Sequence, residues 1–247
     1  MTTIRWDTPA ETDAAWGWLE PLLGEFGTVG CLVPAGFEAH VSVPNSRDPE
    51  NNGCSLVQTH DDARPDGRDQ LDRLLAVLGL TGPGTDRVLH CAIWEGFGGM
   101  FREPDGTVGG ASLGISFGAG DELTPQQLEA ERRRIEAEGA ASKPPRPPAT
   151  TLHLPHRDHY TWTTTAGRLR ADVGTLDGFS PTIVFPADPA GGSGPAAGGW
   201  LWHSEIDGRR TEIGGPAALL APLLTPEWGG IAVERADLLG EIPGWPA

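Results

Sequence analysis

Apolar residues with helical spacing predict four helices along the chain. The clearest pattern places leucines at i, i+3, i+4 and i+7, at Leu71, Leu74, Leu75 and Leu78. Two further helices begin with a capping box, in which a threonine at the helix start pairs with a Glu or Gln three residues later. The predicted helices cover residues 9–20, 69–78, 125–138 and 216–224.

Short apolar or alternating runs, bounded by Gly, Pro, Asn and Asp, predict strands between these helices. The predicted strands cover residues 28–33, 37–43, 88–94, 113–117, 150–154, 160–165, 182–185, 200–207 and 231–233. Helices and strands in this order predict an α+β fold. We expect a mixed, mainly antiparallel sheet with the helices packed on one side.

A charged helix and a Pro-rich spacer at residues 121–149 divide the chain and predict an insert or linker. Residues 1–120 and 150–247 each contain a helix–turn–strand unit that opens with a Leu-Leu-Ala run, at Leu74 and at Leu219. This repetition suggests two similar α/β halves. The alternative is that both stretches form one domain.

Composition argues against nucleic-acid-binding, disulfide-stabilised and membrane proteins. The 247 residues carry a net charge of −16, which would repel nucleic acid and favours a basic protein partner. The three cysteines, Cys31, Cys54 and Cys91, are odd in number and far apart, which argues against a disulfide framework. Because the chain has neither a signal-like start nor a long apolar run, we expect a cytoplasmic protein that does not enter the membrane.

Four potential metal ligands lie within seven residues, at the turn between two predicted strands: His153, His156, Asp158 and His159. Imidazole and carboxylate groups suit zinc. If these groups converged, the turn could hold a zinc ion that activates water, as in a metal-dependent hydrolase. The alternative is a set of exposed turn residues, because a hairpin would place His153 and His159 on neighbouring strands.

A second polar cluster follows the strand predicted at residues 200–207. Alternation places His203, Glu205 and Asp207 on one face of this strand. His203 and Glu205 could form an acid–base pair, since a carboxylate orients an imidazole and raises its pKa. The alternative is the solvent-facing side of a half-buried strand.

The sequence contains no complete catalytic motif. The dinucleotide fingerprint, the P-loop and the Gly-x-Ser-x-Gly elbow are all missing. We therefore expect a non-catalytic binding or regulatory protein without a cofactor, such as the acidic partner in a toxin–antitoxin or immunity pair. The alternative function is the metal-dependent hydrolase.

Several stretches carry a resemblance to a known group of sequences. They are residues 33–39, 92–98, 154–160, 180–188, 204–207 and 213–215. Together they resemble a group of uncharacterised proteins from high-GC bacteria. This resemblance implies no activity.

Overall fold

Hydrogen bonds between strands build one antiparallel sheet in this computed structural model. The structure describes residues 4–45, 70–97, 100–106, 108, 124–155, 157–176, 179–187, 199–205 and 208–243. Within these ranges the strands are β1 (Ala39–Pro44), β2 (Val88–Trp94), β3 (Leu152–Leu154), β4 (Arg157–Thr165), β5 (Ile183–Pro186), β6 (Leu201–Ser204), β7 (Arg210–Gly215) and β8 (Ile231–Ala232). The strand order is β3-β4-β2-β5-β6-β7-β1-β8.

The α-helices of the described residues are α1 (Pro9–Trp16), α2 (Gln70–Val77), α3 (Pro125–Ser142), α4 (Ala166–Thr175) and α5 (Ala217–Leu220). Strands outnumber helices in these ranges, and each paired strand runs antiparallel to its neighbour. The predicted α+β fold with a mainly antiparallel sheet is therefore confirmed.

The sheet interleaves strands from both sides of residues 121–149. β2 lies between β4 and β5, and β1 lies between β7 and β8. In the register, Cys91 of β2 faces Trp162 of β4 on one side and Val184 of β5 on the other. The centre of the sheet is thus formed by segments that are far apart in sequence.

Alternation along each strand creates two apolar faces. In β2, Leu89, Cys91 and Ile93 face the main core, which α2, α4 and α5 cover with leucines and valines. The leucines of α2 that were predicted to form its apolar face are 0–6% exposed. Burial of each such side chain stabilises the fold by roughly 1.5–3 kcal/mol.

The opposite face of the sheet carries a smaller core beneath α1. Trp16 and Leu19 pack there against Ile183, Phe185 and Leu201. The rings of Trp16 and Phe185 meet edge to face, with centroids 4.7 Å apart. The helix therefore holds the N-terminal segment against the face on which the polar residues of β4 and β6 lie.

Both predicted capping boxes are confirmed. At the start of α1, the Thr8 hydroxyl accepts a hydrogen bond from the backbone N–H of Glu11, and the Glu11 carboxylate accepts from the backbone of Thr8 at 2.8 Å. Thr124 and Gln127 make the same reciprocal pair at the start of α3. Each box satisfies N–H groups that the first helical turn leaves without partners.

Three elements differ from the predictions, and the first is β7 (Arg210–Gly215), for which the sequence pattern predicted no strand. Residues 28–33, predicted as a strand, contain a 3₁₀ turn at Val29–Cys31. Residues 166–175 form α4, although the sequence pattern had not been assigned to a helix. The strand predicted at residues 113–117 lies outside the described residues.

In the parts of the chain that the structure describes, no helix has the length and apolar character needed to cross a bilayer.

Candidate functional site

A cavity of about 250 Å³ lies on the sheet face that α1 also covers. The N-terminal loop, the β3–β4 turn, the end of β6 and a C-terminal 3₁₀ turn enclose it. Its walls are mainly apolar and include Leu23, Phe26, Leu32, Leu154 and Leu239. Such a wall with a few polar groups is typical of a ligand pocket.

Four polar side chains line this cavity: Arg157, His159, His203 and Glu205. Arg157 and His159 are two residues apart on β4, and His203 and Glu205 are two residues apart at the end of β6. Because residues two apart on a strand point to the same face, each strand presents its pair to the cavity. The intervening residues Tyr160 and Trp202 belong to the main core on the other face.

Arg157 and Glu205 form an ion pair at the edge of the cavity. Nη2 of Arg157 lies 2.6 Å from Oε1 of Glu205, and the two side chains are only 27% and 10% exposed. The guanidinium also lies over the ring of Trp94, 4.9 Å from its centroid. The opposite charges compensate each other, so this part of the cavity is close to neutral.

His203 is held in one tautomer by the backbone. Its Nδ1 lies 3.0 Å from the carbonyl oxygen of Leu32. Because a carbonyl oxygen only accepts, Nδ1 carries the proton and Nε2 of the neutral ring is left with a lone pair. Burial lowers the pKa of His203, although the nearby Glu205 carboxylate opposes this effect. The ring is therefore neutral near pH 7 and can accept a hydrogen bond at Nε2.

His159 is buried, and its ring makes no hydrogen bond of good geometry to the described residues. The residue is 1% exposed. Burial lowers the pKa of His159 to about 3, and charge on His203 and Arg157 contributes to the same shift, while an interaction with the backbone of Arg157 opposes it. A neutral imidazole has one N–H donor and one acceptor, so both remain unsatisfied in the wall of the cavity.

Cys31 contributes a thiol to the same cavity. Burial raises the pKa of this thiol, and the carboxylate of Glu205 raises it further, while the backbone N–H groups of Gly27 and Thr28 act in the opposite direction. The thiol is therefore protonated near pH 7. A protonated thiol is a weak hydrogen-bond donor and a poor nucleophile.

No protein-family model, curated protein or solved structure matches this chain.

The predicted metal ligands of the β3–β4 turn lie on two different faces. His153 pairs with Asp158 in the strand register, and its Nδ1 lies 2.8 Å from the Asp158 carboxylate. His159 is the next residue after Asp158 and points to the opposite face, into the cavity. His156 lies outside the described residues.

In the described ranges, no group of three or more His, Cys, Asp or Glu side chains is arranged to hold a metal ion. The structure thus brings His153 and Asp158 together and separates them from His159. Zinc binding by the complete turn stays a prediction.

The predicted acid–base candidates His203 and Glu205 both line the cavity, whereas Asp207 lies outside the described residues. The ring of His203 is oriented by the Leu32 carbonyl, and the carboxylate of Glu205 is engaged by Arg157. Both side chains are buried, at 6% and 8% exposure.

Sequence reasoning missed the grouping of Arg157, His159 and Cys31 with the residues of β6. A signal was present, because each of the two strands carries a polar pair at i and i+2. The cavity lining shows that the two pairs come together, although β2 and β5 lie between β4 and β6 in the sheet.

Proposed function

We propose that this chain is a binding protein and that the cavity takes a small, uncharged, mainly apolar organic molecule. The single observation that carries the proposal is the buried imidazole of His159, which lines an apolar cavity with both nitrogens unsatisfied. Buried polar groups of folded proteins nearly always have a partner. A bound molecule would supply a partner for one of these nitrogens.

The size of the cavity limits the ligand. A volume of about 250 Å³ corresponds to about eight water molecules at about 30 Å³ each. Pockets for drug-sized molecules are commonly roughly 300–1,000 Å³. We therefore expect a ligand of the size of a single substituted ring.

The charges around the cavity favour an uncharged ligand. An anion would meet the carboxylate of Glu205, and a cation would meet the guanidinium of Arg157. The two groups already neutralise each other at 2.6 Å. Because both histidines are neutral near pH 7, neither adds a charge that could bind an ion.

The same groups favour binding over covalent catalysis. The raised pKa of Cys31 keeps its thiol protonated, so the cavity lacks a thiolate nucleophile near pH 7.

Cys31 and Cys91 are both free thiols. The proposal therefore places the protein in the cytoplasm, where thiols remain reduced.

A fragment screen tests this proposal. Small aromatic and aliphatic molecules are mixed with the protein, and binding is measured by saturation-transfer NMR. Leu239→Trp places an indole in the cavity wall, whereas Leu238→Trp changes the neighbouring residue, which is 50% exposed. We expect fragments to bind the wild type and Leu238→Trp but not Leu239→Trp. No binding, or binding that Leu239→Trp leaves unchanged, would overturn the proposal.

A basic protein partner is the second candidate function. The observation that favours it is a pair of exposed apolar side chains, Phe26 at 70% and Leu238 at 50% exposure. A hydrogen bond from the N–H of Leu239 to the carbonyl of Gly27, at 2.8 Å, ties these two segments together. The exposed Glu25 and the net charge of −16 would steer a basic partner to this surface.

The second candidate predicts an interaction that depends on both salt and the apolar surface. Affinity capture from the native host at low ionic strength should recover a stoichiometric basic protein, as in an immunity pair. Phe26→Ser combined with Leu238→Ser should abolish the capture. Failure to recover a partner, or capture that the double variant leaves intact, would count against this function.

A further inference from the structure

The polar atoms in the cavity form a defined set of donors and acceptors. Nε2 of His203 only accepts, because the ring proton is on Nδ1, which donates a hydrogen bond to the Leu32 carbonyl at 3.0 Å. His159 offers one ring N–H and one ring acceptor, both without a partner among the described residues. The two imidazoles line the same cavity and are close enough for charge on His203 to influence His159.

We infer that the cavity selects an uncharged, mainly apolar molecule that carries one hydroxyl group, and that this hydroxyl donates its hydrogen bond to Nε2 of His203. This inference rests on the proposed function, because it names the chemical class of the ligand in the same cavity. The hydroxyl oxygen is then available to accept the N–H of His159.

The hydroxyl group follows from matching the ligand to the two rings. A ligand without a donor would leave Nε2 of His203 unsatisfied, and a ligand that only donates would leave the N–H of His159 unsatisfied. A hydroxyl is the smallest group that both donates and accepts. A larger polar group, such as an amide, would displace apolar contact area in a cavity of about 250 Å³.

The apolar body of the ligand follows from the walls. The polar side chains of the cavity are surrounded by apolar ones, namely Leu23, Leu32, Leu154 and Leu239. An apolar ring placed against them would be removed from water, whereas a polyol such as a sugar would leave its other hydroxyls without partners. Phenol and its alkyl derivatives have the required combination of one hydroxyl and an apolar ring.

Matched pairs of ligands test the inference. Phenol is compared with toluene, and 4-methylphenol with 1,4-dimethylbenzene, by calorimetric titration of the wild-type protein near pH 7. Each pair has nearly the same shape and differs in the hydroxyl group. We expect the hydroxylated member to bind at least about tenfold more tightly, the effect of one neutral hydrogen bond in a closed site.

His203→Phe tests the acceptor directly. This variant should bind toluene and phenol with similar affinity, because the acceptor is lost and an apolar ring remains. His90→Phe is the matched control, since His90 lies on β2 away from the residues that line the cavity. The control should keep the tenfold preference.

Nitrogen-15 NMR of the wild-type histidines decides the question if His203→Phe fails to fold. Phenol should shift the Nε2 resonance of His203, and toluene should leave it in place. Equal affinity for both members of a pair, with no Nε2 shift, would overturn the hydroxyl inference while the proposed binding function stands. Failure of all four ligands and of the fragment screen would overturn both.

Discussion

Two oppositely charged side chains are buried between β1 and β7. Arg210 is 7% exposed and Glu212 is 0% exposed. The hydroxyl of Ser42 joins them, because it accepts from Nε of Arg210 at 2.8 Å and donates to Oε1 of Glu212 at 2.6 Å. Arg210 also donates to the backbone carbonyl of Ser42 at 2.7 Å. Glu212 lies opposite His203 in the strand register, so this network adjoins the candidate site.

Replacing Arg210 should destabilise the protein strongly. Arg210→Met removes the hydrogen bonds of the guanidinium to Ser42 and to the carbonyl of Gly229, and the loss of one hydrogen bond to a buried charged group typically costs about 1.5–3 kcal/mol of unfolding free energy. The exposed neighbour Arg209 provides the control, since Arg209→Met should change stability by less than about 0.5 kcal/mol. Urea denaturation measures both. A loss below about 1 kcal/mol for Arg210→Met would contradict the expectation.

His159 should make the protein sensitive to acid. Burial lowers its pKa to about 3 in the folded chain, whereas an unfolded histidine titrates near about 6.5. Below pH 6.5 the unfolded chain therefore binds more protons than the folded chain. The contribution of His159 to the unfolding free energy is fully present above about pH 6.5 and is lost as the pH falls towards about 3. At pH 5 this loss amounts to about 2 kcal/mol.

The variant His159→Phe should remove this part of the acid sensitivity. The difference in unfolding free energy between pH 7 and pH 5 should shrink by about 2 kcal/mol relative to the wild type. Leu128→Phe, at an exposed residue of α3 that does not titrate, should keep the full difference. Urea titrations at the two pH values provide the measurement. An unchanged difference in His159→Phe would show that another group causes the acid sensitivity.

At the scale of elements, the two capping boxes have the same chemistry in different surroundings. α1 is held to the sheet by Trp16, which is 1% exposed. In α3, the described side chains from Gln126 to Ala141 are exposed. A lost cap destabilises the whole protein only when the helix it begins is coupled to the core.

Removing each cap separates these two situations. Thr8→Ala should lower the unfolding free energy by about 1 kcal/mol, the usual cost of an N-cap hydroxyl. Thr124→Ala should leave the global transition unchanged and reduce only the helical signal of α3. Urea denaturation followed by tryptophan fluorescence reports the core, and circular dichroism reports the helices. Equal losses in the two variants would mean that α3 is as firmly packed as α1.

The elements differ in how well the sequence pattern predicted them. The apolar run of residues 88–94 predicted β2 with the correct bounds, because a strand buried on both faces leaves a continuous apolar stretch. Residues 28–33 are similarly apolar, yet burial of Val29 and Val33 is achieved by a 3₁₀ turn. An apolar run shows that a segment is buried and does not distinguish its backbone conformation.

The helix α4 was not predicted, although its apolar residues have helical spacing. Ala166, Leu169 and Val173 follow helical spacing and are 0–5% exposed. The helix also contains Gly167 and Gly174, which have low helix propensity. At Gly167, an added Cβ would lie 3.2 Å from Cβ of Thr85, so close packing accounts for this glycine. Tertiary contact therefore outweighed local propensity.

The candidate site could be predicted only in part. Alternation in residues 200–207 indicated that His203 and Glu205 share a face. This prediction depends on the sequence of one strand alone. Their placement beside Arg157 and His159 depends on β2 and β5 separating β4 from β6. That arrangement is set by the packing of the whole sheet, and the polar pairs at i and i+2 do not indicate which strands come together.

At the scale of the whole molecule, the cavity and the sheet both combine residues from the two sides of the segment 121–149. Cys31 and Leu32 come from the N-terminal side, and His159 and His203 come from the C-terminal side. β4 and β5 each pair with β2, so the strands of the C-terminal side would lose their central neighbour if residues 1–120 were removed. Exposed strand edges of this kind are unfavourable.

We therefore expect the fragments 1–120 and 150–247 to be unfolded when separate and to fold together when mixed. Circular dichroism and proton–nitrogen NMR should show a folded 1:1 complex. Binding of small aromatic fragments, measured as for the intact chain, should appear only in the mixture. As a control, a protease site placed in α3, whose described side chains from Gln126 to Ala141 are exposed, should allow the intact chain to be cut without loss of structure. A fragment 150–247 that folds alone would instead favour two independent α/β halves, because β4 and β5 would then be stable without the hydrogen bonds that β2 provides.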